Sequence, residues 1–562
     1  MTPARPLLLA ALIPPLLTAG FVARFGVDLP YWDEWVHLQT LVKYEQGTLS
    51  WADVFAQYNE SRKPVPRLLI LGLALVGLSD QRVQMGLSVL LASCTLLAAA
   101  LLLRHSAPAM LPWVRGLLLL TSSALLLAWS QWQNWLWGIQ FICFLPLLGL
   151  MLTLLACVVE RVPSWGKVAV AVTTAAAASF SFAAGLLLWP VNAVALVLLG
   201  RVRVAWLAVY VVAGGLAAWA YFTGYQRPAW VPTWGDALGE PLRLTHYLLV
   251  LAGAGLLPRE TAVAAQFNPV ALATVAGAAL IGTGAVLAVL AVARAATGRR
   301  DPLGLAWALV FAYGVSALAL AALGRSPMGL DTALLSRYAT FSLPVAMSVV
   351  GLLAGLARRR AGRIAFAAVA GSCIAMVVLG SVAVVPRVEQ VHRRQLTGRA
   401  MLTFCLTSPD ARLTTFVADW PQHPLVVPTA VVLSARGWLH PPVSPDGDPA
   451  ALPAAGRPAR ARLSGTTLIL DDADVHTVLV VTPGPLPQVA RVLHASVAFG
   501  TPTPLVELPP LPPGARLLAL RGAELRTGPL ELRAEATPGR PSPPALPPAG
   551  GPAGAVPDDA LR

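Results

Sequence analysis

Charged residues are scarce in this sequence. Of its 562 residues, 12% are charged and 56% are hydrophobic, whereas soluble domains carry roughly 25% charged residues. A soluble core cannot bury so much apolar surface, so the composition excludes an ordinary soluble protein. The five cysteines form neither a disulfide framework nor a CxxC metal motif. Gly-rich phosphate loops, GxSxG elbows and HExxH helices are also absent, which removes the commonest soluble-enzyme motifs.

The hydrophobic residues occur in blocks that are long enough to cross a bilayer. A membrane-spanning helix needs about 20 apolar residues, and it satisfies its own backbone hydrogen bonds within the hydrocarbon. The sequence therefore predicts an all-α polytopic membrane protein with about eleven transmembrane helices, at residues 7–22, 83–103, 116–129, 139–159, 168–182, 186–199, 204–222, 269–293, 303–323, 340–357 and 364–385.

Basic residues indicate the orientation, because short cytoplasmic loops carry an excess of Lys and Arg. Alternate loops hold such residues: Arg5; Arg104 and Arg115; Arg161 and Lys167; Arg201 and Arg203; Arg294, Arg299 and Arg300; Arg358, Arg359, Arg360 and Arg363. We predict a bacterial inner-membrane protein with a cytoplasmic N-terminus and an extracytoplasmic C-terminus. The N-terminal segment resembles a signal peptide, but we favour an uncleaved anchor. The net charge of +14 then reflects topology, and nucleic acid is not an expected partner.

Two further hydrophobic segments, 65–78 and 244–257, are shorter than a comfortable span. Counting either segment alone as a crossing would reverse the side of every later basic loop. We therefore expect both to be helices that lie at the outer membrane interface.

After Val385 the sequence becomes rich in Pro and Ala. Short apolar runs at 466–470 and 475–481 are typical of strands, so residues 386–533 are expected to form a small α/β or β-rich extracytoplasmic region. The tail at 534–562, dense in Pro, Gly and Ala, is expected to be disordered. The membrane domain would occupy residues 1–385.

The first extracytoplasmic loop, 23–82, is unusually acidic. It holds seven of the thirteen acidic residues that precede Val385: Asp28, Asp33, Glu34, Glu45, Asp53, Glu60 and Asp80. Apolar residues at helical spacing predict two helices lying flat on the membrane, around 35–42 and 51–58. Ser50 and Asp53 are spaced as a capping box for the second. Asp33 is expected at or near the N-cap of the first, and His37 on its surface.

This arrangement carries a resemblance. An outer loop that opens with Tyr31-Trp32-Asp33-Glu34-Trp35, continues through flat helices to a Pro-containing apolar segment at 63–69, and is followed by many spans is similar to the GT-C class of glycosyltransferases. The nearest likeness is to bacterial relatives of the protein mannosyltransferase and aminoarabinose transferase group. The resemblance covers roughly residues 1–385 and is strongest in the first loop and at 131–138.

The resemblance implies a catalytic acidic residue in the first outer loop and a polyprenyl-phosphate-linked sugar donor. That role falls on Asp33, with Glu34 as its neighbour. A carboxylate there can take the proton of an acceptor hydroxyl, or the pair could bind Mg²⁺ or Mn²⁺. Alternatively, Asp33 caps a helix and Glu34 opposes its dipole. A metal is thus a possible cofactor rather than a required one.

Substrate-binding candidates lie in three other segments. The first, 129–140, combines aromatic rings with amides that suit a sugar, although Trp is also common in the membrane belt. In the loop before the tenth span, an Arg can bind a lipid phosphate, or it can pair with Asp331 or extend to the interface. A third cluster follows the second flat helix. The candidates are Trp132, Asn134, Trp135, Gln140, Arg325, Arg337, Tyr338, Glu60 and Arg62.

The sequence thus predicts an inverting membrane glycosyltransferase that transfers a sugar from a polyprenyl-phosphate donor to a glycan, lipid or protein acceptor at the periplasmic face. The alternative is a non-catalytic transporter of lipid-linked sugars or a polysaccharide-assembly protein. A transporter would be expected to place charges near mid-membrane and to show repeated halves, and neither is evident. An inactive, enzyme-derived scaffold is a third reading, because Ser61 stands where relatives of this group carry His.

Overall fold

The computed structural model describes residues 4–297, 301–408, 412–417, 424–454, 458–482, 487–497, 503–522 and 524–533. The basic residues Arg299 and Arg300 and the predicted disordered tail at 534–562 lie outside these ranges.

Helices dominate the described chain. In order they are α1 Ala4–Ala10, α2 Ile13–Phe25, α3 Glu34–His37, α4 Gln39–Glu45, α5 Trp51–Val54, α6 Pro64–Leu75, α7 Gln81–Ser106, α8 Pro112–Leu126, α9 Trp132–Leu136, α10 Leu145–Val158 and α11 Ser164–Ser179. They continue as α12 Leu188–Leu198, α13 Val204–Phe222, α14 Trp234–Leu238, α15 Pro241–Ala254, α16 Arg259–Ala264, α17 Pro269–Ala296, α18 Pro302–Arg325, α19 Ala339–Leu356, α20 Arg360–Thr403, α21 Leu413–Val417 and α22 Val426–Ala435.

Nine helical segments within the described residues are long and apolar enough to cross a membrane: Pro6–Phe25, Gln81–Ser106, Pro112–Leu136, Gly138–Val158, Val204–Phe222, Pro269–Ala296, Pro302–Met328, Ser336–Leu356 and Arg360–Thr403. This confirms the prediction of a mostly helical, multi-pass membrane protein. The other two predicted spans, 168–182 and 186–199, are also helical. They are shorter, however, with α11 of 16 residues and α12 of 11.

Local sequence explains where several long helices begin. Asn268 accepts a hydrogen bond from the amide of Ala271 (3.0 Å), and Asp301 accepts one from the amide of Gly304 (2.9 Å). Each cap is followed by a proline, Pro269 or Pro302, whose fixed φ suits the first helical position. These two caps set the starts of α17 and α18.

The chain divides into two compact units. The helical unit comprises the described parts of 1–26, 49–72 and 82–385. The C-terminal unit comprises 27–48, 73–81 and the described residues from 386 onward. Part of the acidic first loop therefore belongs to the unit that contains the C-terminal region, and α20 continues without a break through Pro386.

Loops that are distant in sequence meet at one end of the helical unit, here called the loop end (residues 55–64, 129–138, 221–231 and 325–338). Arg62 Nε donates to the carbonyl of Tyr221 (2.7 Å), and Gln133 N donates to Ser336 Oγ (3.1 Å). At the opposite end, Lys167 Nζ donates to the carbonyl of Gly200 (3.1 Å). Each of these contacts joins two loops that the alternation of basic residues assigns to the same side of the membrane.

The two short segments do not change this alternation. Glu60, before α6, contacts Arg325 at the loop end, and the chain is back at that end at residues 129–138 after α6, α7 and α8. Helices α7 and α8 alone supply an outward and a return path between these points, which agrees with the expectation that α6 adds no crossing.

The same holds for α15. Near its start, Arg243 donates to the carbonyl of Pro327 (2.8 Å), and after its end Ser130 Oγ donates to the carbonyl of Gly255 (2.8 Å). Both partners belong to the loop end, so α15 begins and ends on one side. Its residues 250–254 are buried by the protein; the interfacial location of both segments stays a prediction.

The C-terminal region contains the expected β-structure. Its strands are β3 Ala459–Ser464, β4 Thr467–Leu470, β5 Val475–Thr482, β6 Gln488–His494, β7 Ser496–Val497, β8 Pro504–Glu507, β9 Arg516–Arg521 and β10 Arg526–Arg533. They form one eight-stranded sheet of order β6-β5-β9-β10-β3-β4-β8-β7, antiparallel except between β10 and β3. The strands predicted at 466–470 and 475–481 correspond to β4 and β5.

The sheet is built around its buried strand β5. Val478 pairs with Leu493 on β6 and with Ala519 on β9, and these three residues belong to one apolar core. Thr477 points to the other face, where its hydroxyl lies 2.9 Å from that of Thr397 on α20. Seven consecutive buried residues, from Val475 to Val481, indicate a strand that is covered on both faces.

The second flat helix is shorter than predicted. Helix α5 makes a single turn, from Trp51 to Val54, and its capping box with Ser50 and Asp53 is present. Tyr58 lies instead in a two-stranded antiparallel ladder formed by β1 Gln57–Tyr58 and β2 Ser61–Arg62. Asn59, at the turn between them, has a positive φ of 50°. The tight turn explains why helical periodicity does not continue to residue 58.

Candidate functional site

The acidic residues of the first loop contact other parts of the protein. Asp28 accepts a hydrogen bond from the amide of Gln81 at the start of α7 (2.9 Å), and Asp53 completes the capping box of α5. Other partners are Tyr31 for Glu34, Arg436 for Glu45 and Arg325 for Glu60. The acidity of this loop therefore serves its folding to a large extent.

Asp33 lies in a turn of unusual geometry, here called the Asp33 turn (residues 31–35), in the C-terminal unit. Trp32 has a φ of 54°, in the left-handed region that bulky residues seldom adopt. Its amide donates to the carbonyl of Val417 (3.0 Å), and the indole Nε1 of the fully buried Trp35 donates to the same carbonyl (3.1 Å). One carbonyl oxygen thus fixes both sides of Asp33.

The structure separates the roles of Asp33 and Glu34. Asp33 occupies the N-cap position of α3, as predicted, but its side chain makes no capping hydrogen bond. The side chain is half-buried. Glu34 is buried, and its Oε2 accepts the amide of Tyr31 at 2.6 Å. Glu34 therefore stabilises the turn. Capping of α3 does not account for the presence of an aspartate at position 33.

A metal at this turn finds little support in the donor set. Among the described residues, no three His, Cys, Asp or Glu side chains are grouped so that they could hold a metal ion. One carboxylate of the pair, that of Glu34, already accepts a backbone hydrogen bond. The residues present therefore do not fit a resident Mg²⁺ or Mn²⁺.

The expectation for His37 was wrong. It is fully buried rather than exposed on the helix surface. The face of α3 and α4 that was expected to meet the membrane instead packs within the C-terminal unit, where Gln39 Nε2 donates to Thr429 Oγ1 on α22 (2.6 Å). Contacts with residues almost 400 positions away are invisible to helical periodicity.

The loop end of the helical unit contains the second candidate group. Glu60 and Arg325 form an ion pair, and the hydroxyl of Tyr338 lies near the guanidinium. The indole of Trp230 covers the guanidinium, with its centroid 4.8 Å from Cζ. Three residues from distant segments therefore surround the charge of Arg325. The sequence placed Glu60, Arg325 and Tyr338 among the candidates and missed Trp230.

Tyr247 lies beside this group. Its hydroxyl is 2.9 Å from that of Thr332, and burial raises the pKa of the phenol above its usual range, with a further contribution from Tyr338. The phenol therefore stays neutral at physiological pH and can act as a hydrogen-bond donor. No sequence motif marked Tyr247, because its position depends on how α15 packs.

Amide side chains hold the loop that carries Arg337 and Tyr338. Gln133 Oε1 accepts hydrogen bonds from Ser336 Oγ and from the amide of Arg337 (both 3.2 Å). Asn134 Nδ2 donates to the carbonyl of Arg337 (2.9 Å) and to Thr340 Oγ1. These amides were predicted to bind sugar hydroxyls; the structure uses Gln133 and Asn134 to position a loop.

The aromatic residues of the same segment are part of the core. Trp135 is fully buried, donates to the carbonyl of Ala128 (2.9 Å) and stacks on Phe144. Trp132 is also buried, and Gln140 accepts a hydrogen bond from Cys143 (2.9 Å). Trp132, Trp135 and Gln140 are therefore buried within the protein, and their contact with a sugar stays a prediction.

Arg62 acts as a backbone clamp. Its guanidinium donates to the carbonyls of Tyr221, Phe55 and Thr223. Arg67 makes the same kind of contact with the carbonyls of Asp53, Val54 and Ala56. Buried carbonyl oxygens at the ends of loops need hydrogen-bond donors. This requirement explains the position of the Arg62 side chain without a bound ligand.

The site predictions thus fall into two groups. Glu60, Arg325, Arg337, Tyr338 and the 132–140 segment come together in the helical unit, whereas Asp33 and Glu34 belong to the C-terminal unit. Comparison with known proteins adds no name to either group: no protein-family model, no curated protein and no solved structure matches this chain.

Proposed function

We propose that this protein is an inverting glycosyltransferase of the GT-C type, which transfers a sugar from a polyprenyl-phosphate donor to an acceptor at the periplasmic face of a bacterial inner membrane. One observation carries the proposal: Arg325 and Arg337 lie with Glu60 and Tyr338 at a single end of an apolar helical bundle. A lipid phosphate requires cationic donors at the depth of the headgroups.

The proposed topology has eleven crossings with the loop end outside. Helices α11 and α12 are short, but they lie between Lys167 and Gly200 at one end and Phe180 at the other. The amide of Val65 donates to the carbonyl of Phe180, which supports the placement of that end with the first loop. Arg104, Arg161 and Arg203 belong to the opposite end, which favours a cytoplasmic location for it.

Asp33 is the proposed general base. Its carboxylate removes the proton of the acceptor hydroxyl while that oxygen attacks the anomeric carbon of the donor. The bond between the anomeric carbon and the phosphate oxygen breaks, and its electron pair leaves with the polyprenyl phosphate. A single displacement of this kind inverts the configuration at the sugar. In the helical unit, Arg325 and Arg337 are the proposed ligands of the donor phosphate.

The test uses the full chain, purified in detergent, with a set of radiolabelled polyprenyl-phosphate sugars. Wild type should transfer label to an acceptor, and Asp33→Asn should lower turnover by about a hundredfold or more. Asp53→Asn is the matched control, because Asp53 lies in the same loop and belongs to the capping box of α5. Turnover that is unchanged by Asp33→Asn would overturn the assignment of the base.

A second arm of the experiment addresses the alternative function. The same protein is reconstituted in vesicles with a fluorescent lipid-linked sugar, and movement between leaflets is followed by quenching. Transfer without flipping supports the enzyme. Flipping without transfer of any donor would replace it by a transporter of lipid-linked sugars.

A further inference from the structure

The Asp33 turn is held in an unfavourable backbone conformation. Trp32, immediately before Asp33, adopts a φ of 54°. In this region the Cβ of an L-residue crowds the backbone, so bulky residues remain there only when their surroundings determine the conformation. The surroundings of the turn should therefore show what maintains it.

A single carbonyl does so. Val417, at the end of α21, accepts one hydrogen bond from the amide of Trp32 (3.0 Å) and another from Trp35 Nε1 (3.1 Å). Trp35 and Val417 are both fully buried, so water does not compete for these bonds. Because the two donors stand on either side of Asp33, the carbonyl fixes the direction in which the residue between them points.

Two further contacts extend the attachment along the chain. Gln39 Nε2 donates to Thr429 Oγ1 (2.6 Å), and Glu45 pairs with Arg436 (3.2 Å). Successive turns of α3 and α4 are therefore bound to Val417, Thr429 and Arg436, which follow the last predicted span. Residues 27–48 of the first outer loop and these three residues belong to one compact unit.

We propose that Trp35 and the carbonyl of Val417 are positioning residues, through which the C-terminal region sets the conformation of Asp33. This inference rests on the proposed function for its consequence in catalysis. Its structural part is that the conformation of the Asp33 turn depends on described residues between 417 and 436. That part does not require the proposed function. A base that is misplaced by about 1 Å loses a large part of its effect, while donor binding elsewhere is retained.

The experiment compares Trp35→Phe with wild type in the full chain. Phe keeps an aromatic ring but cannot donate to Val417. Trp51→Phe is the matched control, because Trp51 is largely exposed. Hydrogen exchange of peptides that cover 31–38 should be about fivefold faster in Trp35→Phe, and kcat should fall about tenfold with KM for the donor nearly unchanged. Trp51→Phe should alter neither.

Two more variants keep the test decisive if Trp35→Phe folds poorly. Trp32→Asn retains the amide donor and tolerates a positive φ, so exchange at 33–38 should stay slow. Thr429→Val removes the acceptor of Gln39 and should loosen 39–45 with little loss of kcat. Fast exchange in Trp32→Asn, with a lost turn, would contradict the role of the Val417 carbonyl.

The outcomes separate the two proposals. Wild-type exchange and kcat in Trp35→Phe overturn the inference. Faster exchange with unchanged kcat shows that the carbonyl holds the turn but does not position a base, which also overturns it. If wild type turns over no donor, the proposed function fails, and the exchange rates alone decide whether residues 417–436 hold the turn.

Discussion

Glu60 and Arg325 lie 265 residues apart in the sequence and form a half-buried ion pair at the loop end. The pair links the turn after α5 to the end of α18, and the indole of Trp230 shields its cationic side from water. Partial burial makes such a pair stronger than one on the surface, but it also makes the loss of one partner costly.

The coupling between these two residues should be measurable. Glu60→Gln, Arg325→Gln and the double variant form a cycle of thermal unfolding midpoints, from which we expect a coupling energy of about 1–2 kcal/mol. The exposed pair Arg243–Glu240 (3.2 Å) serves as the reference and should give about 0.3 kcal/mol. Equal coupling in the two cycles would mean that the Glu60–Arg325 pair is as well solvated as a surface pair.

Asn134 should be essential for the loop that carries Arg337. It is fully buried and donates to the carbonyl of Arg337 and to Thr340. Asn134→Leu leaves these acceptors without their donor, so we expect a loss of about 2–3 kcal/mol and faster proteolysis within 326–338. Asn268→Ala, which removes only the N-cap of α17, should cost about 1 kcal/mol and leave that loop intact.

Much of the fold could be predicted from the sequence, because bilayer spans and strands depend on local composition. The apolar blocks predicted the long apolar helices, whereas the interfacial location of 65–78 and 244–257 stays a prediction. What failed were inferences from single side chains. His37 is buried because α3 packs against distant residues. Tyr58 is not helical because the turn at Asn59 interrupts the predicted helix.

The candidate site was less predictable for the same reason. Arg325 and Glu60 each looked like interfacial charges, and only the fold pairs them. Asn134 looked like a ligand for a sugar but holds a loop. The role of Val417 rests on its backbone carbonyl, which no residue type reveals. Long-range contacts of buried polar groups therefore limit what periodicity and composition can predict.

The C-terminal sheet should lose stability in acid. Burial, above all, lowers the pKa of His476 to about 3 and that of His494 to about 4, and Arg393 adds to both shifts. Both rings are thus neutral in the fold, with His392 and Arg394 also facing them. Their contribution to the free energy of unfolding is complete above the ordinary histidine pKa of 6.5. It is lost as the pH falls from 6.5 toward 3 to 4.

The expected size of this effect is about 2 kcal/mol at pH 5 from His476 alone. Hydrogen exchange of peptides that cover β5, in the full chain and corrected for intrinsic rates, measures it between pH 7 and pH 5. His476→Gln removes the titrating ring next to Thr477 and should flatten the dependence. The same slope in that variant would show that other groups cause the acid sensitivity.

Gly277 should tolerate no side chain, because it lies where α17 meets the backbone of α15. A Cβ at Gly277 would overlap the carbonyl of Leu249, and one at Gly253 would overlap the carbonyl of Ala273. The neighbouring atoms are backbone and cannot rotate away, so Gly277→Ala must separate the two helices. Small residues permit such close approach between membrane helices, and we expect a loss of at least about 2 kcal/mol from overpacking.

Gly282→Ala, on the same helix with open space beside it, makes the same chemical change and should be neutral or slightly stabilising. The thermal midpoint of each purified variant decides between them: equal midpoints for Gly277→Ala and Gly282→Ala would mean that α15 and α17 do not pack backbone to backbone.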